Sequence, residues 1–101
     1  MAVTSHVSTD GTKLTIAIDG RFDFAKHQDF RKAYEGVNHK PSSVVIDLKR
    51  TTYVDSSALG MLLLLRDHAG GDDADIRVVN SNADVRKILA ISNFDKLFDI
   101  S

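Results

Sequence analysis

The feature that most constrains the fold is a short apolar run followed closely by a long helical pattern. Residues 44–48 read VVIDL, which is apolar at four of five positions and rich in β-branched side chains. Such a run is typical of a strand covered on both faces. Residues 54–71, VDSSALGMLLLLRDHAGG, then predict a helix that begins at Asp55 or Ser56 and is stopped by Gly70 and Gly71. A strand leading into a packed helix indicates a layered α/β fold.

The N-terminal third predicts a hairpin and a first helix. Residues 3–8 and 14–19 are β-like runs, and the Asp10-Gly11 pair between them favours a tight turn. Asp23 can cap the helix that follows. The apolar positions of that helix are Phe24, Phe30, Ala33, Tyr34 and Val37, and its end is marked by Gly36, Asn38 and Pro41.

The C-terminal third predicts one more strand and one more helix. Residues 76–80 have the pattern of a buried strand, and Ser81 with Asp84 resembles a capping box. The helix that this box would open carries Val85, Ile88 and Leu89. The tail FDKLFDIS is compatible with a strand or with a helical turn. A hairpin followed by alternating helices and strands predicts a mixed sheet with helices packed mainly on one face.

Length and charge exclude several classes of protein. A chain of 101 residues is expected to form one domain, residues 1–101. A net charge of −1 without a basic cluster argues against direct binding of nucleic acid, which needs a basic surface. The absence of cysteine excludes disulfides and thiolate sites, and the leucine run is too short to insert into a membrane. We therefore expect a cytoplasmic monomer with no metal and no cofactor.

The helix over residues 56–69 has two different faces at about 100° per residue. The core side is predicted to carry Ala58, Leu62, Leu65 and Ala69, with Leu59 and Met61 at its margins. The opposite side carries Ser56, Gly60, Leu63 and Asp67, with Leu64 nearby. Glycine within a helix costs roughly 1 kcal/mol relative to alanine, so this side needs an explanation. Either a partner docks there, or another element of the chain covers it, or the exposed leucines are isolated surface residues without a function.

Several roles are open to the polar residues at the helix start. Asp55, Ser56 and Ser57 are all good N-capping types. A serine nucleophile is disfavoured, because there is no G-x-S-x-G elbow and the four histidines are scattered without metal-ligand spacing. A glycine-rich phosphate cradle is also lacking. A hydroxyl that accepts a phosphate remains, since a helix N-terminus tolerates the added negative charge.

The segment VVIDLKRTTYVDSSALGMLLLLRDHAG resembles the STAS family, specifically the bacterial anti-sigma factor antagonists. The family hallmark is a buried strand ending in Asp, a short loop, and Asp-Ser-Ser/Thr-Gly-Leu-Gly opening a helix. Here residues 55–60 read DSSALG, with Ala58 in place of the usual glycine, and Gly20 and Asp23 match the family's Gly-x-x-Asp turn. The resemblance covers nearly the full chain and implies a STAS-like mixed sheet of four to five strands.

The resemblance implies a function as well as a fold. Ser56 would be phosphorylated by a serine kinase that is itself the anti-sigma factor, and a metal-dependent serine phosphatase would restore the hydroxyl. The unmodified form would bind the anti-sigma factor and free the sigma factor, and the phosphorylated form would let go. The protein would not be an enzyme. The resemblance and the outer side of the helix together give the expected partner-binding residues, which are Asp23, Asp55, Ser56, Ser57, Gly60, Leu63 and Leu64.

Three other functions are considered. The chain could be a STAS accessory subunit of a membrane transporter of the lipid-import type, bound to its ATPase. It could be an enzyme that acts through Ser56. A receiver-type phosphoacceptor is disfavoured, because Asp19 alone stands where that class has an acidic cluster.

Overall fold

A computed structural model describes residues 2–36 and 41–101 of the protein. The described elements, in chain order, are β1 Val3–Val7, β2 Lys13–Ile18, β3 Gly20–Phe22, α1 His27–Glu35, β4 Ser43–Asp47, β5 Thr51–Val54, α2 Ser56–His68, β6 Ile76–Val79, α3 Ala83–Ile91 and β7 Asp99–Ile100. Single turns of 3-10 helix lie at Phe24–Lys26, Gly71–Asp73 and Phe94–Lys96. Val37 and Asn38, which were predicted to lie at the end of the first helix, fall outside the described residues.

Five of the strands form one mixed sheet in the order β1-β2-β4-β6-β7. β1 runs antiparallel to β2, and the other neighbours are parallel. The hairpin between β1 and β2 is held by Asp10, whose carboxylate accepts from the hydroxyls of Ser8 at 2.6 Å and Thr12 at 2.8 Å. These bonds lower the pKa of Asp10 to about 2. The predicted hairpin and mixed sheet are confirmed.

The central strands of the main sheet are buried on one face. Along β2, Leu14, Ile16 and Ile18 are buried while Thr15 and Ala17 are half-buried. β4 follows the same alternation, since Val44 and Ile46 are buried and Val45 is only half-buried. The prediction that this strand is covered on both faces is therefore wrong, and the helices pack on a single face, as the predicted fold class requires.

A second sheet of two short parallel strands, β3 and β5, was not predicted. Gly20 starts it in the left-handed region, at a φ of +86°, and its amide donates to the Arg50 carbonyl at 2.9 Å. The buried Thr51 hydroxyl donates to the Ile18 carbonyl at 2.7 Å and so ties β5 to the end of β2. Because β5 leads directly into α2, this small sheet fixes where α2 begins.

The first helical segment begins with a 3-10 turn. Asp23 caps that turn by accepting from the Ala25 amide at 3.1 Å, so its predicted role as a cap is confirmed. The prediction that Phe24 lies on the apolar stripe is wrong, because its ring is 70% exposed. Phe24 lies in the 3-10 turn that precedes α1, so the α-helical spacing that predicted a shared face with the buried Phe30 does not apply to it.

The cap of α3 also differs from the prediction. Asn82, not Ser81, is the N-cap, and its side chain accepts from the Val85 amide at 2.8 Å. Within residues 2–36 and 41–101, the buried Ser81 hydroxyl has no hydrogen-bond partner. In the tail, both alternatives occur in succession, since a 3-10 turn at Phe94–Lys96 precedes the short strand β7.

Candidate functional site

The entrance to α2 is organised by Asp55. This residue follows the last position of β5 in an extended conformation and is the N-cap of α2. One carboxylate oxygen, Oδ1, accepts from the Ser57 hydroxyl at 2.6 Å and from the Ala58 amide at 3.0 Å. The hydrogen bond from Ser57 contributes most to lowering the pKa of Asp55, and the Ala58 amide contributes next. Asp55 is thus an ionised cap whose position is fixed by two donors.

The two adjacent serines differ in what their hydroxyls do. The Ser57 hydroxyl is committed to Asp55 and is part-buried. Ser56 is the first residue of α2 and is exposed, and within residues 2–36 and 41–101 its hydroxyl has no hydrogen-bond partner. Ser56 is therefore the serine that an enzyme or partner can reach without breaking an existing bond.

The inner face of α2 matches the predicted core side. Four of its residues are buried: Ala58, Met61, Leu62 and Leu65. Leu59 and Ala69 are partly buried and pack against the same core. Because Ala58 is fully buried, its methyl group packs in the core and stays off the outer surface.

The outer face of α2 is open to solvent. Leu63 is 42% exposed and Leu64 56% exposed, so no described element of the chain covers this side. At Gly60 an added Cβ would meet nothing within 4 Å, so packing within the chain does not require glycine there. We call this exposed side of α2 the docking face, and its residues are Ser56, Gly60, Leu63 and Leu64. Its apolar side chains are exposed and are covered by no other element in the described structure.

The small sheet brings two predicted site residues together. Phe22 of β3 pairs with Val54 of β5, so Asp23 and Asp55 follow at adjacent positions at the ends of the two strands. Asp23 is half-buried, with its side chain 25% exposed. The sequence pattern alone did not indicate this proximity, because it depends on the pairing of β3 with β5.

Arg21 and Tyr53 are neighbours of the site that the sequence analysis missed. The Arg21 guanidinium lies 4.4 Å from the centre of the Tyr53 ring, and its Nε lies 3.4 Å from an Asp23 carboxylate oxygen. Strand alternation would have placed both side chains on the outer face of the small sheet, had that sheet been predicted. They add a cation and an aromatic ring beside the entrance to α2.

The described part of the chain offers neither a metal site nor a membrane-spanning helix. Residues 2–36 and 41–101 contain no group of three or more histidine, aspartate or glutamate side chains that could hold a metal ion. None of the described helices is long and apolar enough to cross a membrane. His68 packs its ring 5.0 Å from that of Tyr34, and His27 stacks on Phe24 at 5.3 Å.

Comparison with known proteins places this geometry in context. The sequence profile of the family described as "Mlab, STAS domain" matches residues 5–99. A STAS-domain containing protein of Pseudomonas aeruginosa, strain UCBPP-PA14, is 63% identical over 101 residues, with 100% of both chains covered. The crystal structure of an antisigma-factor antagonist STAS domain from Rhodobacter sphaeroides is 30% identical, with 77% of this chain and 84% of that chain covered and a TM-score of 0.55.

A more distant relative has been solved in two chemical states. The anti-sigma factor antagonist SpoIIAA in its unphosphorylated form superposes with a TM-score of 0.71, covering 99% of this chain and 87% of that one. The Bacillus cell fate determinant SpoIIAA in the phosphorylated form gives a TM-score of 0.67, covering 99% and 91%. Both are 16% identical to this chain, so the likeness shows a shared fold.

Proposed function

The chain belongs to the STAS-domain family, and from this premise we propose that it is a phosphorylation-switched anti-sigma factor antagonist. In the proposed cycle the unmodified protein binds an anti-sigma factor that is also a serine kinase, and the sigma factor is released. The kinase transfers the γ-phosphoryl group of ATP to the Ser56 oxygen, with loss of the hydroxyl proton and release of ADP. A serine phosphatase hydrolyses the phosphoester and returns inorganic phosphate. The proposal treats residues 1–101 as one binding domain without catalytic activity.

The observation that carries the proposal is the difference between the two serines at one helix entrance. Ser56 is exposed and lacks a hydrogen-bond partner in the described structure, whereas Ser57 donates to Asp55 at 2.6 Å. The Ser56 hydroxyl also lies at the N-terminal end of the docking face, which continues through Gly60 to the exposed Leu63 and Leu64. A modifiable group beside an apolar surface is what a charge-controlled interface requires.

The proposed switch rests on two electrostatic effects of unequal size. A phosphate at a helix N-terminus is stabilised by the dipole and free amides, typically by 0.3–1 kcal/mol. Burying the same dianion against apolar side chains of an interface costs several kcal/mol unless cations neutralise both of its charges. The second effect is larger, so modification should release the partner and leave the module folded. Asp23, Asp55 and Ser57 are proposed to border the surface that the partner covers.

The assignment of Ser56 is tested by phosphorylation in native extract. Tagged wild-type protein, Ser56→Ala and the matched control Ser57→Ala are incubated in extract with ATP, recovered and analysed by mass spectrometry. We expect one phosphate on wild type and on Ser57→Ala, located at residue 56, and none on Ser56→Ala. The recovered partner should be an anti-sigma factor with a kinase fold. Phosphate on Ser57, or none on wild type in extract that phosphorylates other STAS proteins, would contradict the assignment.

A second candidate function is compatible with the family that matches this chain, which is described as "Mlab, STAS domain". This description does not name an anti-sigma factor antagonist, so the family match itself does not select between STAS functions. The alternative is an accessory subunit of a lipid-import transporter that binds its ATPase through the docking face. Recovery of a transporter ATPase with wild-type protein, at equal yield with Ser56→Asp, would favour this alternative.

A further inference from the structure

We propose that Arg21 is the module's own binding partner for the phosphate on Ser56, and that it exchanges Asp23 for that phosphate when Ser56 is modified. This inference rests on the proposed function, because it assumes that Ser56 carries a phosphate. It adds a residue and a regulatory step that the family motif does not contain.

The outer face of the small sheet places the required groups on one side. In β3, Arg21 is exposed and Phe22 is buried, and in β5 Tyr53 is exposed and Val54 is buried. The parallel register pairs Arg21 with Tyr53 and Phe22 with Val54. Because side chains alternate along a strand, the outward-facing positions of the two strands and the residues that follow them are Arg21, Asp23, Tyr53 and Asp55.

The guanidinium lies close to the modification site along the chain. It lies over the Tyr53 ring at 4.4 Å from the ring centre, and Tyr53 precedes Ser56 by three residues. Three residues span at most about 10 Å of extended chain. The proposal requires this long, 62% exposed side chain to reach the start of α2 by changes in its own torsion angles.

The present partner of Arg21 holds it only weakly. The Nε···Oδ2 distance to Asp23 is 3.4 Å, and the guanidinium is mostly in water. An exposed ion pair of this kind contributes little to stability. A phosphate dianion offers three acceptor oxygens to the planar fork of an arginine and is the stronger partner. The exchange from carboxylate to phosphate is therefore favourable.

The charges around Ser56 also require a cation. A phosphate there would follow Asp55 directly and lie near Asp23, so two carboxylates would repel it. Arg21 is the cation on the same outer face, and Lys26 and His27 come next along the chain, after the Asp23-capped turn. Although Ser57 and the Ala58 amide have larger effects, the charge of Arg21 also lowers the pKa of Asp55. The field of Arg21 thus already extends to the residue beside Ser56.

One consequence concerns the partner-facing surface. When Arg21 turns to the phosphate, Asp23 keeps its hydrogen bond from the Ala25 amide and loses its ion pair. Modification of Ser56 would then alter the charge presented at Asp23 as well as at the helix entrance. The phosphate would act at two points of the same surface.

The test is a ³¹P NMR titration of protein with phosphoserine installed at position 56 during synthesis, so that neither kinase nor partner is needed. A phosphoserine has a second pKa of about 6, and a nearby cation lowers it. We expect the value in wild type to be lower by about half a unit or more than in Arg21→Gln, with Arg21→Lys recovering part of the difference. In wild type the ¹⁵Nε resonance of Arg21 should also shift on phosphorylation, a readout that needs no variant.

Arg77→Gln is the matched control. Arg77 is 58% exposed and its Nε lies 3.3 Å from an Asp99 carboxylate oxygen, which nearly duplicates the geometry of Arg21 with Asp23, but it lies on β6. This variant should leave the phosphate pKa unchanged. Equal phosphate pKa values in wild type and Arg21→Gln, or an unmoved Arg21 resonance, would overturn the inference while leaving the switch itself standing. A lowered pKa together with unchanged partner binding would instead overturn the proposed function alone.

Discussion

A single carboxylate oxygen at the entrance to α2 makes the hydroxyls of two adjacent serines different in their hydrogen bonding. Asp55 Oδ1 accepts from the Ser57 hydroxyl and from the Ala58 amide, which leaves the Ser56 hydroxyl exposed. From the sequence, all three residues qualified equally as caps. The distinction depends on side-chain geometry, and a run of similar residues such as DSS cannot specify it.

The ionised state of Asp55 predicts a pH dependence of stability. The pKa of Asp55 is lowered in the folded protein, mainly by the Ser57 hydroxyl and then by the Ala58 amide. A carboxylate whose folded pKa lies below its unfolded value of about 3.9 contributes stability above that pH, and the contribution is lost as pH falls through the folded pKa. Asp55→Asn should therefore have a flatter fall in urea midpoint below about pH 4 than wild type has.

The comparison with Asp55→Ala separates charge from capping. Asparagine is itself a good N-cap, so Asp55→Asn should stay close to wild type at pH 7, whereas Asp55→Ala should unfold at a lower urea concentration. Parallel wild-type and Asp55→Asn curves of midpoint against pH would show that the carboxylate makes no pH-dependent contribution.

The two wrong predictions at this scale have local causes. Phe24 was placed on an apolar stripe, but the segment starts with a 3-10 turn capped by Asp23, and its ring points to solvent. Ser81 fits a capping box by spacing, yet the neighbouring Asn82 makes the capping bond. Competing cap residues one position apart are not resolved by spacing rules.

At the scale of elements, α2 has one buried face in the core and one exposed face that we propose binds a partner. Leu62 is 1% exposed within the core, and its neighbour Leu63 is 42% exposed on the docking face. Leu62→Ala should reduce the free energy of unfolding by about 2–5 kcal/mol, because it leaves a cavity. Leu63→Ala should change it by only about 0.5 kcal/mol and should weaken partner binding by more than about 1 kcal/mol. Urea unfolding and titration calorimetry measure the two quantities.

Ile91→Ala is the control for this pair of variants. Ile91 is 72% exposed at the end of α3 and is not one of the docking-face residues, so its truncation should alter neither stability nor binding appreciably. If Leu63→Ala binds the partner as tightly as Ile91→Ala does, the outer face of α2 is not the interface.

The two strands of the small sheet are the elements that could not be predicted from the sequence. The long periodic segments, including α2 and the β1–β2 hairpin, were predicted because each carries its own signal. β3 and β5 have three and four residues, and Gly20 pairs with Thr51 from a distant part of the chain. Strands this short are specified by tertiary contacts, and the proximity of Arg21 to Tyr53 and of Asp23 to Asp55 depends on them.

At the scale of the whole molecule, the order of the elements along the sequence was enough to predict most of the fold. A hairpin followed by alternating strands and helices was enough to predict a mixed sheet with one covered face, and the five-stranded sheet agrees. The docking face could be predicted in outline, since a helix with too many leucines for one core side must expose some. The residues of the small sheet that lie beside the docking face could not be predicted from the sequence.

The central claim is that negative charge on Ser56 leaves the module folded and prevents association. The most direct measurement compares stoichiometrically phosphorylated and unmodified protein, in thermal unfolding and in titration calorimetry against the anti-sigma factor recovered from extract. We expect melting temperatures that agree within a few degrees, because the helix terminus accommodates the charge. We also expect an affinity that is weaker by roughly a thousandfold, corresponding to about 4 kcal/mol. Equal affinity of the two forms, or unfolding of the phosphorylated form, would contradict the claim.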